Sequence, residues 1–458
     1  MSFIDDLFQR LRNLWQLSGE IASPRARAYM QRFQRYEQAW NAYYGKLEKP
    51  LKVKPGGPDH NVRINYARLI VDASVANLFG DELKVTLDEQ YGEAQKYLVE
   101  WWEAAKMQQV LADCGINGGV CGSGLLRLFD KSAETGLYPR VITINPGVVD
   151  VETDPTDYER VLRYFLTYPK NTANVDGRDN GLLRLVVEPA NDARTAWRLR
   201  EQNAGFGGFQ DGKVTDWPYP FAPIFHAKNL PAPNEFWGMA DLEPDVIDLN
   251  KSVNFVRSNT NKIIYFHAHP KTVGIGFSGV PVSSSPDEMI TVSNPNADIK
   301  NLEMQSDLTS SREFARDMEG AMHGVTRTPE AAIGKLENVG ALSGTALRIL
   351  FRPMIEKTES KRRSYGSMIK SLARAVLTLG GFPEAAANAT ITIQWPEILP
   401  GDPETERKVA VMDHQLGASK ETLLTRFGYD AEKEAELRAG EETNMGAALL
   451  DQFDKGNA

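Results

Sequence analysis

The chain has few cysteines and none of the long apolar runs that mark membrane proteins. Its 458 residues include two cysteines, Cys114 and Cys121, which do not form a CxxC pair. Two cysteines are too few for a disulfide framework, and their spacing does not suit a zinc site. No uninterrupted apolar run approaches the roughly 18 to 20 residues that cross a bilayer. We therefore expect both cysteines to be small buried residues, and we expect no membrane segment.

Positive charge is also scarce for a protein whose main task would be to hold nucleic acid. The formal net charge is −9, whereas phosphate binding needs clustered cations. The distribution is uneven, since residues 1–70 contain 12 Lys and Arg against six Asp and Glu, residues 344–375 eight against two, and residues 397–458 seven against 14. Cationic and acidic parts of one chain suit contacts between neighbouring subunits, and they suit solvated surfaces equally well.

A glycine-rich run, GINGGVCGSG at residues 115–124, lacks the features of a nucleotide-binding loop. No Lys-Ser/Thr pair follows its last glycine, and the run does not open a helix after a strand. The strand-like LLRLF comes after it instead. We therefore interpret the run as a turn between a helix at residues 92–113 and a strand, and we predict no nucleotide site here.

The longest helical pattern lies at residues 241–269. Apolar side chains recur there at alternating spacings of four and three, as in a heptad seam: Leu242, Val246, Leu249, Val253, Val256 and Ile263. Asp241 is the candidate N-cap, and Pro244 falls in the first turn, where its missing N–H costs nothing. Intervening polar residues such as Ser258 and Asn259 are expected to face water.

The rest of the pattern predicts an α+β protein with several packed cores. Helices are expected at residues 2–17, 24–45 and after Asn61, where Leu69, Ile70, Ala73, Ala76 and Leu78 form the apolar face. Alternating residues from 125 to 225, separated by turn signals, predict an antiparallel meander. Residues 270–306 predict a small β or α/β module.

The C-terminal half begins with a second helix. Ser310 and Glu313 have the spacing of a capping box, and Phe314, Met318, Ala321 and Met322 are expected to share one face. A long helix at residues 343–379 carries Pro353 in its interior and should kink there. A strand at 389–395 and an acidic helical tail, with a helix start at Ser419, complete the chain.

At this point the chain resembles the portal proteins of tailed double-stranded DNA bacteriophages, of the long-tailed siphophage type. The resemblance rests on the order of six segments: VRINYARLIVDASVANLFG, GINGGVCGSGLLRLF, VITINPGVVDVETD, KNLPAPNEFWGMADLEPDVIDLNKSVNF, SGTALRILFRPMIEK and GASKETLLTRFGYDAEKEAEL. It implies a mainly helical portal fold with an antiparallel β-rich wing and a small α/β clip. The implied parts are a wing at 1–240 and 343–400, stem helices at 241–265 and 307–324, a clip at 266–306, a tunnel loop at 325–342 and a crown at 401–458.

The resemblance also implies what such a protein does. Twelve subunits would form a ring at one capsid vertex of the virion, through which double-stranded DNA is packaged and ejected. The implied partners are other copies of the chain, the terminase ATPase, the head–tail adaptor, and the major capsid and scaffolding proteins, with assembly in the host cytoplasm. No enzymatic activity, cofactor, metal or membrane is implied, and the lack of a phosphate-binding loop agrees with a separate motor.

Two groups of residues are the predicted functional positions. The seam residues Val246, Leu249, Val253 and Val256 are expected to pack against the second stem helix and the neighbouring subunit. In the tunnel loop, Lys335, Glu337 and Asn338 are expected to face the channel as alternating charge, with Gly334 and Gly340 as hinges. An ordinary surface loop is the alternative interpretation of that segment.

Two other functions compete with this interpretation. An enzyme is conceivable because His267 and His269 form an HxH pair in the same stretch as Asp245 and Asp248. However, no carboxylate or third histidine stands at ligand spacing, and the helix places those aspartates several turns away. Another virion ring or scaffold component, such as an adaptor or capsid protein, is the second alternative. The length of the chain and its helix–insertion–helix order favour the portal.

Overall fold

The computed structural model describes most of the chain. The described residues are 24–131, 136–169, 182–205, 208–268, 272–276, 298–301, 308–333, 344–398 and 403–427, with a few shorter pieces. Their contacts divide the chain into two compact units, residues 1–396 and residues 397–458.

Helices provide most of the regular structure of both units. They are α1 Pro24–Tyr43, α2 Tyr66–Phe79, α3 Gly92–Ala104, α4 Met107–Cys121, α5 Pro244–Ala268, α6 Thr309–Thr326, α7 Gly344–Gly380, α8 Pro383–Asn388, α9 Pro403–Gln415 and α10 Lys420–Arg426. The long helix α7 contains Pro353, as predicted. The predicted helix at residues 2–17 lies outside the described residues.

The strands form antiparallel sheets, which confirms the α+β prediction. They are β1 Lys84–Thr86, β2 Ser123–Phe129, β3 Arg140–Ile144, β4 Val149–Asp154, β5 Asp157–Pro169, β6 Leu182–Pro189, β7 Trp197–Gly205, β8 Gly208–Trp217, β9 Ile224–Lys228, β10 Thr272–Ile275, β11 Asp298–Asn301 and β12 Thr392–Gln394. A five-stranded meander has the order β4-β5-β6-β7-β8, and a three-stranded sheet has the order β3-β2-β9. The pairs β1–β12 and β10–β11 are two-stranded.

The glycine-rich run is mostly a helix, so the predicted turn at residues 115–124 was wrong. Helix α4 continues through it to Cys121, and the glycines allow neighbours to approach the helix closely. A Cβ at Gly118 would collide with the Tyr365 hydroxyl, and one at Gly119 would lie 2.8 Å from Val71 and 3.0 Å from the carboxylate of Asp241. These glycines therefore serve packing, and their local density misled the sequence interpretation.

The hydrophobic core of the first unit joins α1, α2, α4, α7 and the three-stranded sheet β3-β2-β9. One face of helix α2 is buried in this core, and it differs in part from the predicted apolar face. Ile70 and Leu78 are buried as expected, whereas Leu69 is 37% exposed and Ala76 is exposed. Buried Val71, Ser74 and Val75 take their place. The helix therefore keeps an apolar strip on its outer side.

Helix α6 also differs from its prediction in two respects. It begins at Thr309 with Leu308 at the cap position and no side-chain cap, so Ser310 is inside the helix and the predicted capping box is wrong. Its buried residues are Ala315, Glu319, Met322, His323 and Thr326, whereas Phe314 is 56% exposed. Of the predicted face, Met322 is buried and Met318 is partly buried, whereas Phe314 and Ala321 are exposed because Glu319 and His323 occupy the inner side instead.

The second unit contains α9 and α10. Ser419 caps α10 as predicted, because its hydroxyl accepts the Thr422 N–H at 3.2 Å.

Candidate functional site

Helices α5 and α6 form an antiparallel pair that we call the arm. An ion pair fixes their register: Arg257 Nε donates to Glu319 Oε1 at 2.8 Å, and the Glu319 carboxylate is buried. The start of α5 and the end of α6 line the same small pocket, through Val246 and Thr326. The two predicted helices of the helix–insertion–helix pattern therefore lie side by side.

A row of polar side chains on α5 holds the extended segment 60–64 that precedes α2. Asn254 binds both backbone groups of Ile64, accepting its N–H at 2.9 Å and donating to its carbonyl at 3.2 Å. Asn250 donates to the same carbonyl at 2.9 Å. Both asparagines are buried. The strand-like segment thus finds its hydrogen-bond partners in a helix rather than in a sheet.

The same row continues one turn further along α5. The Ser258 hydroxyl accepts the Val62 N–H at 2.9 Å and donates to the Val62 carbonyl at 3.2 Å. Asn261 donates to the His60 carbonyl at 3.0 Å. We call this row the polar ladder. Ser258 is fully buried, so the prediction that it faces water was wrong; its partner is a backbone that no side-chain periodicity reveals.

A buried ion cluster lies where α5 begins. The Asp241 carboxylate lies 2.7 Å from Lys357 Nζ and 2.6 Å from Lys361 Nζ. Lys361 also donates to the Ser74 hydroxyl at 2.7 Å, and Lys357 donates to the Thr326 carbonyl at 2.9 Å. The cluster therefore joins the start of α5, the end of α6, α2 and α7 at one buried point.

The carboxylate of Asp241 and the ammonium groups of the two lysines stabilise each other's charged forms. Burial alone would raise the pKa of Asp241, but the two lysines lower it to about 2. Burial also lowers the pKa of Lys361, to about 8, against the attraction of Asp241. The prediction that Asp241 caps the helix was wrong, because α5 begins at Pro244 and the carboxylate turns inward to the lysines. The four-residue spacing of Lys357 and Lys361 in the sequence was the available sign that both lysines share one face of a helix.

The end of α6 is closed by a buried turn. Arg327 adopts a left-handed conformation at φ 53°, and the imidazole of His323 lies with Nδ1 2.9 Å from the Thr328 carbonyl. The Thr326 hydroxyl donates back to the Met322 carbonyl at 2.8 Å. Together with Lys357, these contacts fix the direction in which the chain leaves the arm.

The predicted functional residues are placed unequally. Val246 and Val253 are buried within one subunit, at 2% and 0% exposure, whereas Leu249 and Val256 are only partly covered. Contact of this seam with a neighbouring subunit stays a prediction. Lys335, Glu337 and Asn338 lie outside the described residues.

The described part of the chain contains no group of three metal-binding side chains. His269 of the HxH pair lies outside that part, and Asp245 and Asp248 are exposed on the first turns of α5. Among the described helices, none has the length and apolar character needed to cross a bilayer. The described site is thus made of ion pairs and hydrogen bonds that position helices.

Comparison with known families agrees with a structural role. The chain matches the model of the family described as phage portal protein, SPP1 Gp6-like, over residues 26–182 and 226–445. A search of curated proteins gave no match. The family match covers most of the chain and both helices of the arm, which places it among the phage portal proteins, a class of structural virion proteins.

Within that class the chain belongs to the SPP1 Gp6-like family of siphophage-type portals. The resemblance seen in the sequence is thereby confirmed. Portal proteins are virion components that take part in genome packaging, and they assemble as homo-oligomeric rings at a capsid vertex.

Proposed function

We propose that twelve copies of this chain form the ring through which the phage genome is packaged and later ejected. The family match along both helices of the arm is the observation that carries this proposal. In this assembly the ring is a docking platform for the terminase ATPase on one side of the vertex and for the head–tail adaptor once packaging ends. The major capsid and scaffolding proteins would contact its outer surface.

The parts of the ring are proposed from the order of elements. Helices α5 and α6 would be the stem, residues 266–306 the clip that meets the terminase, and residues 401–458 the crown. Residues 1–240 and 343–400 would form the wing. The ion cluster and the polar ladder support this division, because both attach the arm to the rest of the first unit at defined points.

Negative-stain electron microscopy of the purified protein tests the ring. Rings with a central hole and a narrowed end, twelvefold in class averages, are the expected result. A uniform monomer at assembly concentrations, or a filled shell, contradicts the proposal.

The tunnel loop is proposed at residues 325–342, which begin with the last two residues of α6 and run to just before α7. A ring would bring one Lys335 per subunit to the channel, next to Glu337 and Asn338, so that passing phosphates meet alternating charge rather than a positive collar. Such a lining lets DNA slide, because a ring of many cations would hold it.

Lys335→Glu should therefore leave ring assembly unchanged and reduce the amount of DNA packaged per capsid. The matched control is Lys213→Glu on β8, an exposed cation away from the arm, which should package normally. The loop assignment is wrong if Lys335→Glu packages normal amounts of DNA, or if its rings fail to assemble.

A further inference from the structure

The first ten residues of α7, 344–353, form a segment that we call the α7 tip. Ile349 is 68% exposed and Leu350 is 40% exposed, and Arg348 and Arg352 are exposed beside them. Met354, the next residue, is buried at 4%. The tip therefore presents two large aliphatic side chains and two guanidinium groups at its surface, and Arg352 Nε donates to the exposed Glu356 carboxylate at 2.9 Å. Exposure of the two aliphatic side chains is the unfavourable part of this arrangement.

An acidic groove lies elsewhere on the same unit, between α2 and the α3–α4 pair. Its volume is about 730 Å³. The apolar side chains that line it are Val75, Ala76, Phe79, Trp102, Met107, Ala112 and Ile116. Carboxylates also line it, from Asp72, Glu82 and Glu103, with Lys106 as the cation among the lining residues. Asp72 is paired with Arg68 at 3.2 Å, so Glu82 and Glu103 against Lys106 give the groove its excess of negative charge over an apolar floor.

The groove is preformed. The Gln108 amide donates to the Phe79 carbonyl at 2.6 Å and to the Asp81 carbonyl at 2.7 Å, which fastens the end of α2 to α4. Gly115 lets the two helices meet closely, since a Cβ there would lie 3.0 Å from the Phe79 ring. A rigid apolar groove loses little entropy when it is filled, so it is suited to receive a side chain from outside.

The α7 tip of the same subunit does not fill this groove. Helix α7 meets α2 at Met354, whose sulfur lies 3.3 Å from the Asn77 amide, and Asn77 is not among the lining residues. None of the lining residues belongs to α7. The tip and the groove are therefore two separate surfaces of one chain.

A ring requires this kind of pairing. Its interfaces are heterologous, so that each subunit contributes two different surfaces that complement each other. The tip is aliphatic and cationic, and the groove is apolar and acidic, so the two match in both respects. A partner other than a second copy would have to carry a cationic and apolar helix end of its own. This chain already carries one in the α7 tip.

We propose that the α7 tip of one copy docks in the acidic groove of the next copy around the ring. Ile349 and Leu350 lie against the apolar floor, and Arg348 and Arg352 approach Glu82 and Glu103. The inference rests on ring assembly and adds to it the identity of the two surfaces that close the ring.

Disulfide crosslinking tests the contact in assembled rings. The native thiols of Cys114 and Cys121 are buried, and burial raises the pKa of both, so they stay unreactive under mild oxidation. The double variant Ile349→Cys with Ala76→Cys should give a ladder of covalent multimers on a non-reducing gel, reaching the whole ring, and reductant should collapse it. Mixed rings of the two single variants should stop at dimers.

The control pair is Ile349→Cys with Val214→Cys, because Val214 is 53% exposed on β8, away from the groove. It should give no ladder. Intact rings of the test pair without a ladder, or an equal ladder from the control pair, would overturn the contact while leaving the portal assignment in place. Failure of every variant and of the unmodified chain to form rings would instead overturn the ring itself.

Charge reversal gives an independent test. Arg348→Glu with Arg352→Glu should reduce the fraction of protein in rings at least tenfold, and adding Glu82→Lys with Glu103→Lys should restore it. All four positions are exposed in the single subunit, and the pair that Arg352 forms with Glu356 is exposed too, so the thermal unfolding of the monomer should change little. Normal assembly of the double arginine variant, or no rescue by the lysines, contradicts the pairing.

Discussion

At the scale of single residues, Asp241 has the most consequential environment. Its carboxylate is fully buried and is the counter-charge of two buried lysines, Lys357 and Lys361. A buried ion pair adds little stability in comparison with apolar packing, but removal of one partner leaves an uncompensated charge in the interior. Here the loss would leave two such charges at the point where four helices meet.

We predict that Asp241→Asn lowers the free energy of unfolding by about 3–5 kcal/mol. The asparagine has nearly the same shape, so the effect reports charge rather than volume. Denaturant unfolding at neutral pH measures it, with Asp248→Asn as the control, because Asp248 forms an exposed pair with Lys251 at 2.9 Å. The control should change stability by less than about 1 kcal/mol. Equal effects of the two variants would contradict the role of the cluster.

The acid dependence of this difference follows from the depressed pKa of Asp241. The value is about 2 in the folded chain against an ordinary 3.8, so the unfolded state binds the proton first as the pH falls. The contribution is complete above about pH 4 and is lost as the pH falls towards 2. The stability gap between the natural chain and Asp241→Asn should therefore shrink between about pH 4 and pH 2, and a constant gap would show that the lysines do not hold the carboxylate ionised.

At the scale of elements, the polar ladder fastens α5 to the connection before α2. Ser258→Ala removes both bonds to Val62 and leaves a buried N–H and a buried carbonyl without a partner. We expect a loss of about 1–3 kcal/mol in unfolding free energy. Ser252→Ala is the matched control, since the exposed Ser252 hydroxyl donates only to its own helix at Asp248. A loss no larger than that of the control would indicate that water replaces the ladder.

The sequence predicted where the helices lie along the chain, but it predicted less well which face of each helix is buried. Apolar spacing placed α5, α6 and α7 within a few residues, and Ser419 marked the start of α10 correctly. The predicted buried faces were wrong where polar groups are buried, at Ser258 in α5 and at Glu319 and His323 in α6. The buried polar groups there have partners far away in the chain, such as Arg257 for Glu319. A local sequence pattern does not show which distant residue will be the partner.

The candidate site was predictable only in part for the same reason. The seam residues Val246 and Val253 are buried, but the lysines that fix the start of α5 come more than 100 residues later in the chain. Leu69 and Ala76 were expected in the core because they are apolar, yet they lie on the outer side of α2. An apolar residue that another subunit would cover has the same signature in the sequence as a core residue.

At the scale of the whole molecule, the chain divides after residue 396. β12 pairs with β1, and Arg362 donates to the Pro396 carbonyl, so the first unit is complete at that point. We predict that a chain ending at residue 398 unfolds with the same main thermal transition as the full chain. A chain ending at Asn388 lacks β12 and should unfold at a clearly lower temperature. A marked loss of stability in the chain ending at residue 398 would show that residues 397–458 belong to the same cooperative unit.

The polar ladder sets the length of the connection as well as its place. Four residues of helix advance about 6 Å and two extended residues about 6.6 Å, so the step from Asn254 to Ser258 on α5 matches the step from Ile64 to Val62. Asn250 shares the Ile64 carbonyl with Asn254. A four-residue step also turns the helix face by about 40°, and the last side chain of the ladder is accordingly Asn261, three residues after Ser258. Segment 60–64 therefore has a fixed register against α5. The side chain of Ile64 packs against the core, so insertion of a single residue between Val62 and Ile64 would turn the backbone groups of Val62 and His60 away from α5 and break their bonds to Ser258 and Asn261.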